Sequence, residues 1–195
     1  MSVLRNFNLK QIKDKYQIDT FLETGTAEGD GIKHALNFHF KDIISIEIIE
    51  NQVLKMKQKF KNYNNVSIIL GNSTDVFKNI LPYINDNIIF WLDAHYPGAD
   101  ITQNNVNLKI QLYINGPDNI RLPLEHELLM IKELRKNKKD VILLDDLNIY
   151  KNQVKDDAFY LKPKQTFKEN FFKNILNETH AFESINNEQG MLIPR

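Results

Sequence analysis

Short apolar segments alternate with amphipathic ones along most of the chain. The pattern predicts strands at residues 20–23, 43–47, 66–70, 88–93 and 141–145. It predicts helices between them at residues 29–40, 51–60, 76–81 and 124–136. Nearly continuous apolar runs are typical of strands that are covered on both faces. Repeated strand–helix alternation indicates right-handed βαβ crossovers and a parallel sheet.

The last thirty residues follow a different pattern. Residues 167–176 carry apolar side chains at helical spacing, which predicts a helix with one buried face. Residues 181–185 and 191–194 then flank a polar segment that contains a glycine, as in a β-hairpin. The fold class we predict is therefore α/β: one Rossmann-like, doubly wound domain over residues 1–195. Its seven-stranded sheet is mostly parallel and ends in a C-terminal antiparallel hairpin.

Composition excludes several classes of function. The 195 residues include no cysteine, which rules out disulfides, a zinc or iron–sulfur site with cysteine ligands, and a cysteine nucleophile. The 25 basic and 25 acidic side chains give no net charge, which argues against general nucleic-acid binding. No apolar run approaches the length of a membrane span, and the first residues lack the apolar core of a signal peptide. We expect a cytoplasmic protein; a homo-oligomer is left open.

Residues 96–122 form a long polar segment directly after the fourth predicted strand. Structureless segments of this length inside a compact domain are usually functional. Ligands of open α/β sheets also bind at the carboxyl ends of the strands. We therefore predict an acceptor-binding loop at 96–122, with a surface insertion as the alternative.

A glycine cluster follows the first strand. Glu23, Gly25, Thr26 and Gly29 belong to an acidic-x-Gly-x-x-x-Gly pattern, whereas a dinucleotide fingerprint reads Gly-x-Gly-x-x-Gly. Glycines at this junction let the backbone approach a ligand closely. A carboxylate before the turn would repel a pyrophosphate but could pair with the cationic head of an amino acid. A Rossmann dehydrogenase is therefore the weakest interpretation.

Polar residues also lie at the ends of the second and third predicted strands. Glu47 could accept hydrogen bonds from both hydroxyls of a ribose, and Asn72 with Ser73 could contact an adenine edge. In order and position, these pieces and the glycine cluster resemble the class I S-adenosylmethionine-dependent methyltransferases. The resemblance implies that Glu23 and Gly25 hold the methionine part of the cofactor. It implies that Glu47 holds the ribose, and that Asn72 and Ser73 hold the adenine.

Acidic residues also follow the fourth and fifth strands. Neighbouring strands lie about 4.8 Å apart, so Asp93, Asp145 and Asp146 could converge at one edge of the sheet. Crowded carboxylates repel each other unless a cation lies between them, and oxygen ligands suit Mg²⁺ or a similar hard ion such as Mn²⁺. The alternative is that Asp146 caps the following turn and Asp93 is an ordinary strand end.

The placement of these acids resembles that in the metal-dependent O-methyltransferases of sugars, of the macrocin type. That family has a second acid where this chain has His95. Because a histidine can also accept a proton, His95 is our candidate general base. Catechol-type O-methyltransferases have a related arrangement with an amide as third ligand. The segment 90–96 also resembles methyltransferase-like proteins that are encoded beside glycan genes.

The sequence thus predicts an S-adenosylmethionine-dependent O-methyltransferase that uses a divalent metal and acts on a sugar hydroxyl of a glycan or glycoconjugate. Asp93 and His95 are the predicted catalytic residues, and Asp93 also borders the cofactor. Two alternatives remain. One is a catechol-type enzyme acting on a small phenol, and the other is a non-catalytic cofactor-binding module in a glycan-assembly complex.

Overall fold

A computed structural model describes residues 3–95, 116–150, 171–186 and 188–195. Seven strands form one sheet in the order β3-β2-β1-β4-β5-β7-β6. Their bounds are β1 Thr20–Thr24, β2 Asp42–Glu47, β3 Val66–Leu70, β4 Ile88–Leu92, β5 Val141–Leu144, β6 His180–Ser184 and β7 Gly190–Pro194.

Strands β1 to β5 are parallel, whereas β7 pairs antiparallel with both β5 and β6. The predicted seven-stranded, mostly parallel sheet with a C-terminal hairpin is confirmed. The register aligns Thr24 with Ile46 and with Leu92, and Leu92 with Leu144. The carboxyl ends of the four central strands therefore meet at one edge of the sheet.

Helices cover both faces of the sheet. Their bounds are α1 Leu9–Tyr16, α2 Asp30–Ala35, α3 Glu50–Lys59, α4 Ser73–Ile80, α5 Asp118–Arg121, α6 Leu124–Leu134, α7 Leu147–Tyr150 and α8 Phe171–Asn174. Successive strand residues alternate between two cores, because side chains of a strand point to opposite faces. One core contains residues of α1, α2 and α3, and the other contains residues of α4, α6 and α7.

The helices differ from the prediction in several places. Helix α4 begins at Ser73 and not at residue 76, and α7 was not predicted. Of the predicted helix 167–176, residues 167–170 lie outside the described part of the chain, and α8 covers Phe171–Asn174.

Helix α2 ends at Ala35 and continues as a 3₁₀ helix over Leu36–Phe38, so the predicted helix 29–40 is shorter and tighter. Helix α5 lies inside the segment 96–122, so that segment is not wholly a loop; its residues 96–115 lie outside the described part of the chain. Helix α1 was not predicted, although Asn8 caps it.

A buried ion pair lies at the amino-terminal edge of the sheet, where β4 and β5 begin. Arg135, directly after α6, donates from Nε and Nη2 to the two carboxylate oxygens of Asp140, at 2.9 and 2.8 Å. Arg135 also donates to the carbonyl oxygens of Ile84 and Asp86, and Asp140 accepts from the backbone N–H of Ile88. The pair thus fixes the beginnings of β4 and β5. Within the described ranges, no helix has the length and apolar character needed to cross a membrane.

Candidate functional site

Glu23 is the first polar side chain at the carboxyl edge of the sheet. It lies on β1 with only 2% of its surface exposed, and its Oε1 accepts a hydrogen bond from Ser45 Oγ at 2.6 Å. Thr26 donates to the same Ser45 oxygen at 2.6 Å, since Ser45 has a single hydroxyl hydrogen. Gly31 leaves room for the carboxyl group, because a Cβ there would lie 1.9 Å from Glu23 Oε2.

Burial, against the lowering effect of the Ser45 bond, raises the pKa of Glu23 from 4.5 to about 8. Between those values the folded chain holds a proton that the unfolded chain has released. The free energy of unfolding therefore falls with rising pH in this window, by about 1.4 kcal/mol per pH unit from this group.

We expect Glu23→Gln to remove that slope. Between pH 5.5 and 7.5 the variant should lose about 2–3 kcal/mol less stability than the wild type. Urea unfolding at the two pH values measures the difference. Glu28→Gln is the control, because Glu28 is exposed and paired with Lys55. Equal slopes in the wild type and Glu23→Gln would show that Glu23 is ionised throughout.

The turn after β1 packs closely against β4. Gly25 has a φ of 83°, and a Cβ there would lie 3.0 Å from the carbonyl oxygen of Asp93. Gly29 has a φ of 76°, and a Cβ there would collide with the Phe60 ring at 2.6 Å. Both positions therefore require glycine. Ala27, between them, is also held at positive φ, of 43°.

Glu47 holds this turn in place. One of its oxygens accepts from the backbone N–H of Ala27 at 3.1 Å, and the other accepts from that of Ile49 at 3.0 Å. The carbonyl oxygen of Ala27 accepts from the buried side chain of Gln52. Each Glu47 oxygen therefore keeps one lone pair for a further donor, such as a hydroxyl group.

Asn72 and Ser73, which follow β3, make different contacts. The side-chain oxygen of Asn72 caps α4 by accepting from the backbone N–H and the hydroxyl of Thr74, both at 3.2 Å. Ser73 is buried, and its hydroxyl faces the carboxyl group of Glu127 on α6. Ser73 thus links the edge of the sheet to the neighbouring helix.

Asp93, His95 and Asp146 form a cluster where β4 and β5 end. One ligand atom from each lies within 4.8 Å of those from the others. His95 Nε2 donates to Asp146 Oδ2 at 2.7 Å, and both side chains are about 30% exposed. Burial raises the pKa of Asp93 well above its usual value. Burial also acts to raise the pKa of Asp146, but the hydrogen bond and charge of His95 outweigh it and keep that pKa low.

Asp145 lies next to this cluster but outside it. Its side chain is buried and hydrogen-bonds with Gln189 and the backbone of Asp146. Burial and the Asp146 charge raise its pKa to about 6. The structure therefore brings together two of the three predicted metal ligands, Asp93 and Asp146, with the predicted base His95 as their third partner.

Three polar residues of the site were not predicted: Ser45, Gln52 and Glu127. Each is buried. Ser45 interrupts the apolar strand 43–47, and Glu127 occupies an inward position of α6, so a polar residue within an apolar pattern was the available signal. Gln52 offered none, because glutamine is ordinary in the first turn of an exposed helix.

The site fits the groups that the sequence suggested. Gly25 and Gly29 let the turn pack directly against Asp93 and Phe60, and Glu47 offers two oxygens to hydroxyl donors. The oxygen, nitrogen and oxygen ligands of the Asp93–His95–Asp146 cluster fit a divalent ion that keeps open positions. Asp93 belongs to the cluster, and its backbone contacts Gly25, so the two parts of the site are contiguous.

Solved structures match the whole chain. The methyltransferase PaMTH1 of Podospora anserina, bound to S-adenosylhomocysteine, is 11% identical, with a TM-score of 0.60 over 100% of this chain and 80% of that one. An O-methyltransferase from Bacillus cereus, also in complex with S-adenosylhomocysteine, is 13% identical (TM-score 0.59; 100% and 82% covered). A proposed caffeoyl-CoA O-methyltransferase from Staphylococcus aureus is 17% identical (TM-score 0.58; 100% and 85% covered).

This chain has the class I methyltransferase fold. No protein-family profile matches the sequence, and no curated protein does. In a fold of this kind the ligand binds at the carboxyl edge of the strands. In this methyltransferase fold that edge carries Glu23, Glu47 and the Asp93–His95–Asp146 cluster.

Proposed function

We propose that the protein is an S-adenosylmethionine-dependent O-methyltransferase. The observation that carries the proposal is the contact between the glycine turn and the acidic cluster, since Gly25 packs on the backbone of Asp93. A methyl donor on the turn and an acceptor at the cluster would then be neighbours. Holding donor and acceptor in line is worth several kcal/mol of the barrier, about 7 or more in favourable cases.

Residues of three strand ends would bind the cofactor. Glu23 and Gly25, with Thr26 and Gly29 completing the turn, would hold the methionine part. Glu47 would accept the ribose hydroxyls with the lone pairs that its two amide donors leave. This division is supported by the two bonds that fix the Glu47 carboxylate beside the turn.

Asn72 and Ser73 would contact the adenine. The oxygen of Asn72 caps α4, which leaves its amide NH₂ to donate to a ring nitrogen. The hydroxyl of Ser73 lies beside it on the same helix turn.

The cluster would remove the proton from the acceptor hydroxyl. His95 would accept that proton, and Asp146 would orient the ring and stabilise its charged form through the 2.7 Å bond. A divalent ion, Mg²⁺ or Mn²⁺, would be held by Asp93 and Asp146, with His95 left free to act as the base, or by Asp93, Asp145 and Asp146 as the sequence predicts. When bound, such an ion lowers the pKa of a coordinated hydroxyl. Activity in chelator shows whether the ion is required, and Asp145→Asn separates the two ligand sets.

The acceptor we propose is a sugar hydroxyl of a glycan or glycoconjugate, on the resemblance of the acidic motifs to sugar O-methyltransferases. A small phenol is the second candidate. The similarity to the caffeoyl-CoA-type structure favours it. A non-catalytic cofactor-binding module is the third, because His95 replaces an acid of the sugar enzymes.

Calorimetric titration with S-adenosylhomocysteine, with NAD as the control ligand, tests the cofactor. Transfer of a labelled methyl group to a panel of glycosyl and phenolic hydroxyls then tests the reaction, with and without chelator. We expect binding of S-adenosylhomocysteine alone, and transfer to a glycosyl acceptor that chelator abolishes. Transfer only to phenols would select the second candidate. Binding without any transfer would select the third, and NAD binding would overturn the proposal.

A further inference from the structure

Glu127 is a charged residue in a position that the fold reserves for apolar side chains. The inward positions of α6 are Leu124, Glu127, Leu128 and Ile131, which follow helical spacing. Glu127 is fully buried. A leucine there would complete the apolar face of the helix. The glutamate must therefore be explained by something other than packing.

The carboxyl group of Glu127 faces two hydroxyl groups, those of Ser73 and Thr24. Neither carboxyl oxygen meets the geometry of a hydrogen bond with a described residue, and neither does the Thr24 hydroxyl. Other buried carboxyl groups of the described chain have such bonds, for example Glu23 with Ser45. Burying a carboxyl group without partners costs several kcal/mol, on the order of 2–7. An unsatisfied buried group in a native fold calls for a functional explanation.

The surroundings of Glu127 favour its protonated form. Burial, against the lowering effect of the Ser73 and Thr24 hydroxyls, raises its pKa from 4.5 to about 7. Among the described residues, the buried phenol of Tyr150 also lies near Glu127: burial and the Glu127 charge raise the pKa of Tyr150. A protonated carboxyl group can donate one hydrogen bond and accept another. It can therefore bridge two hydroxyl groups.

One hydroxyl belongs to the proposed cofactor site, and the other lies directly beside it. Thr24 lies between Glu23 and Gly25, and Ser73 follows Asn72. Glu127 approaches them from α6, the helix that packs on α4. Glu127 therefore faces both the end of β1 and the start of α4.

We propose that Glu127 is a positioning residue for the nucleoside end of the cofactor: its carboxyl group, which faces the hydroxyls of Thr24 and Ser73, bonds with them when the cofactor binds and fixes the Ser73 hydroxyl against the base. This inference rests on the proposed function. It predicts that the residue matters for the base and not for the methionine part. It also predicts that a side chain of the same shape that donates and accepts can replace it.

Calorimetric titration of the full chain with S-adenosylhomocysteine and with adenosine tests the proposal. Glu127→Leu should weaken both ligands by the same factor, about tenfold, which is the loss of one well-placed hydrogen bond. Its melting temperature should not fall, because leucine suits the buried position. Glu127→Gln should bind within about threefold of the wild type, since the amide also donates and accepts.

Glu133→Leu is the matched control, because Glu133 lies on the same helix and is exposed. It should leave both affinities unchanged. Glu23→Gln should weaken S-adenosylhomocysteine and leave adenosine unchanged, which separates the two ends of the cofactor.

Wild-type affinity for adenosine in Glu127→Leu would overturn the inference while leaving the proposed function intact. Absence of binding of either ligand to the wild type would overturn both. Should Glu127→Leu not fold, Thr24→Val is the second variant, because valine nearly matches the shape of threonine. A several-fold loss of adenosine affinity in Thr24→Val supports the proposal, and unchanged affinity refutes it.

Discussion

Asp146→Asn is expected to reduce methyl transfer by about two to three orders of magnitude, the usual contribution of a positioned acid or base. The substitution removes the charge that His95 pairs with at 2.7 Å, and it also removes a carboxylate from the candidate metal ligands. Asp146 has a φ of 51°, a left-handed conformation that asparagine also adopts readily. The backbone should therefore keep its course, so that the loss reports on chemistry. The measurement is kcat for the labelled transfer, with the affinity for S-adenosylhomocysteine as the check on folding.

Asp145→Asn is the matched control, since it makes the same change one residue earlier. Its carboxyl group bonds with Gln189 and lies outside the cluster. We expect a loss of less than about tenfold, because no group that contacts the acceptor is changed. Equal losses in the two variants would restore the ligand set predicted from the sequence, with Asp93, Asp145 and Asp146 around the ion. Full activity in Asp146→Asn would remove Asp146 from the mechanism.

The fold could be predicted because the neighbouring strands β4 and β5 contain apolar residues only. The four residues of β5 are all buried, as are the five of β4, so each strand reads as one apolar run between polar segments. Parallel pairing follows from the helix between consecutive strands. The hairpin was equally clear, because Gly190 and the polar residues before it separate two short apolar runs.

The part of the site that lies at strand ends could be predicted from the sequence. Glu23, Glu47 and Asp93 lie at the carboxyl ends of β1, β2 and β4, and parallel strands bring these ends together. The choice between Asp145 and Asp146 depends on the left-handed backbone of Asp146, which directs its side chain to His95. Aspartate takes this conformation only occasionally, so the sequence carries no signal for it.

The positions of the strand ends also do not show which polar side chains are buried. Ser45 was visible as one polar residue within an apolar strand, but its bond to Glu23 depends on the register of β1 and β2. Glu127 was visible beside Glu125 and lies in the first turn of α6, where acidic residues are favoured electrostatically. That effect explains an exposed acid equally well. Only the position of the helix on α4 shows that Glu127 is buried.

The ion pair at the opposite edge of the sheet should have the largest effect on stability. Arg135→Met is expected to lower the free energy of unfolding by about 3–5 kcal/mol, the usual cost of leaving one member of a buried pair alone. Asp140 has 1% of its side chain exposed and would lose two charged donors while keeping the Ile88 N–H. The carbonyl oxygens of Ile84 and Asp86 would lose their donor as well.

Urea unfolding at pH 7 measures this loss, and two further variants define its origin. Lys132→Met makes a similar change at an exposed position of α6, three residues before Arg135, and should cost less than about 0.5 kcal/mol. Adding Asp140→Asn to Arg135→Met should recover part of the loss, because an uncharged amide costs less to bury and still accepts from Ile88. A loss below about 1 kcal/mol in Arg135→Met would show that water reaches Asp140. Because the pair lies at the amino-terminal edge of β4 and β5, the folded variant should bind S-adenosylhomocysteine as the wild type does.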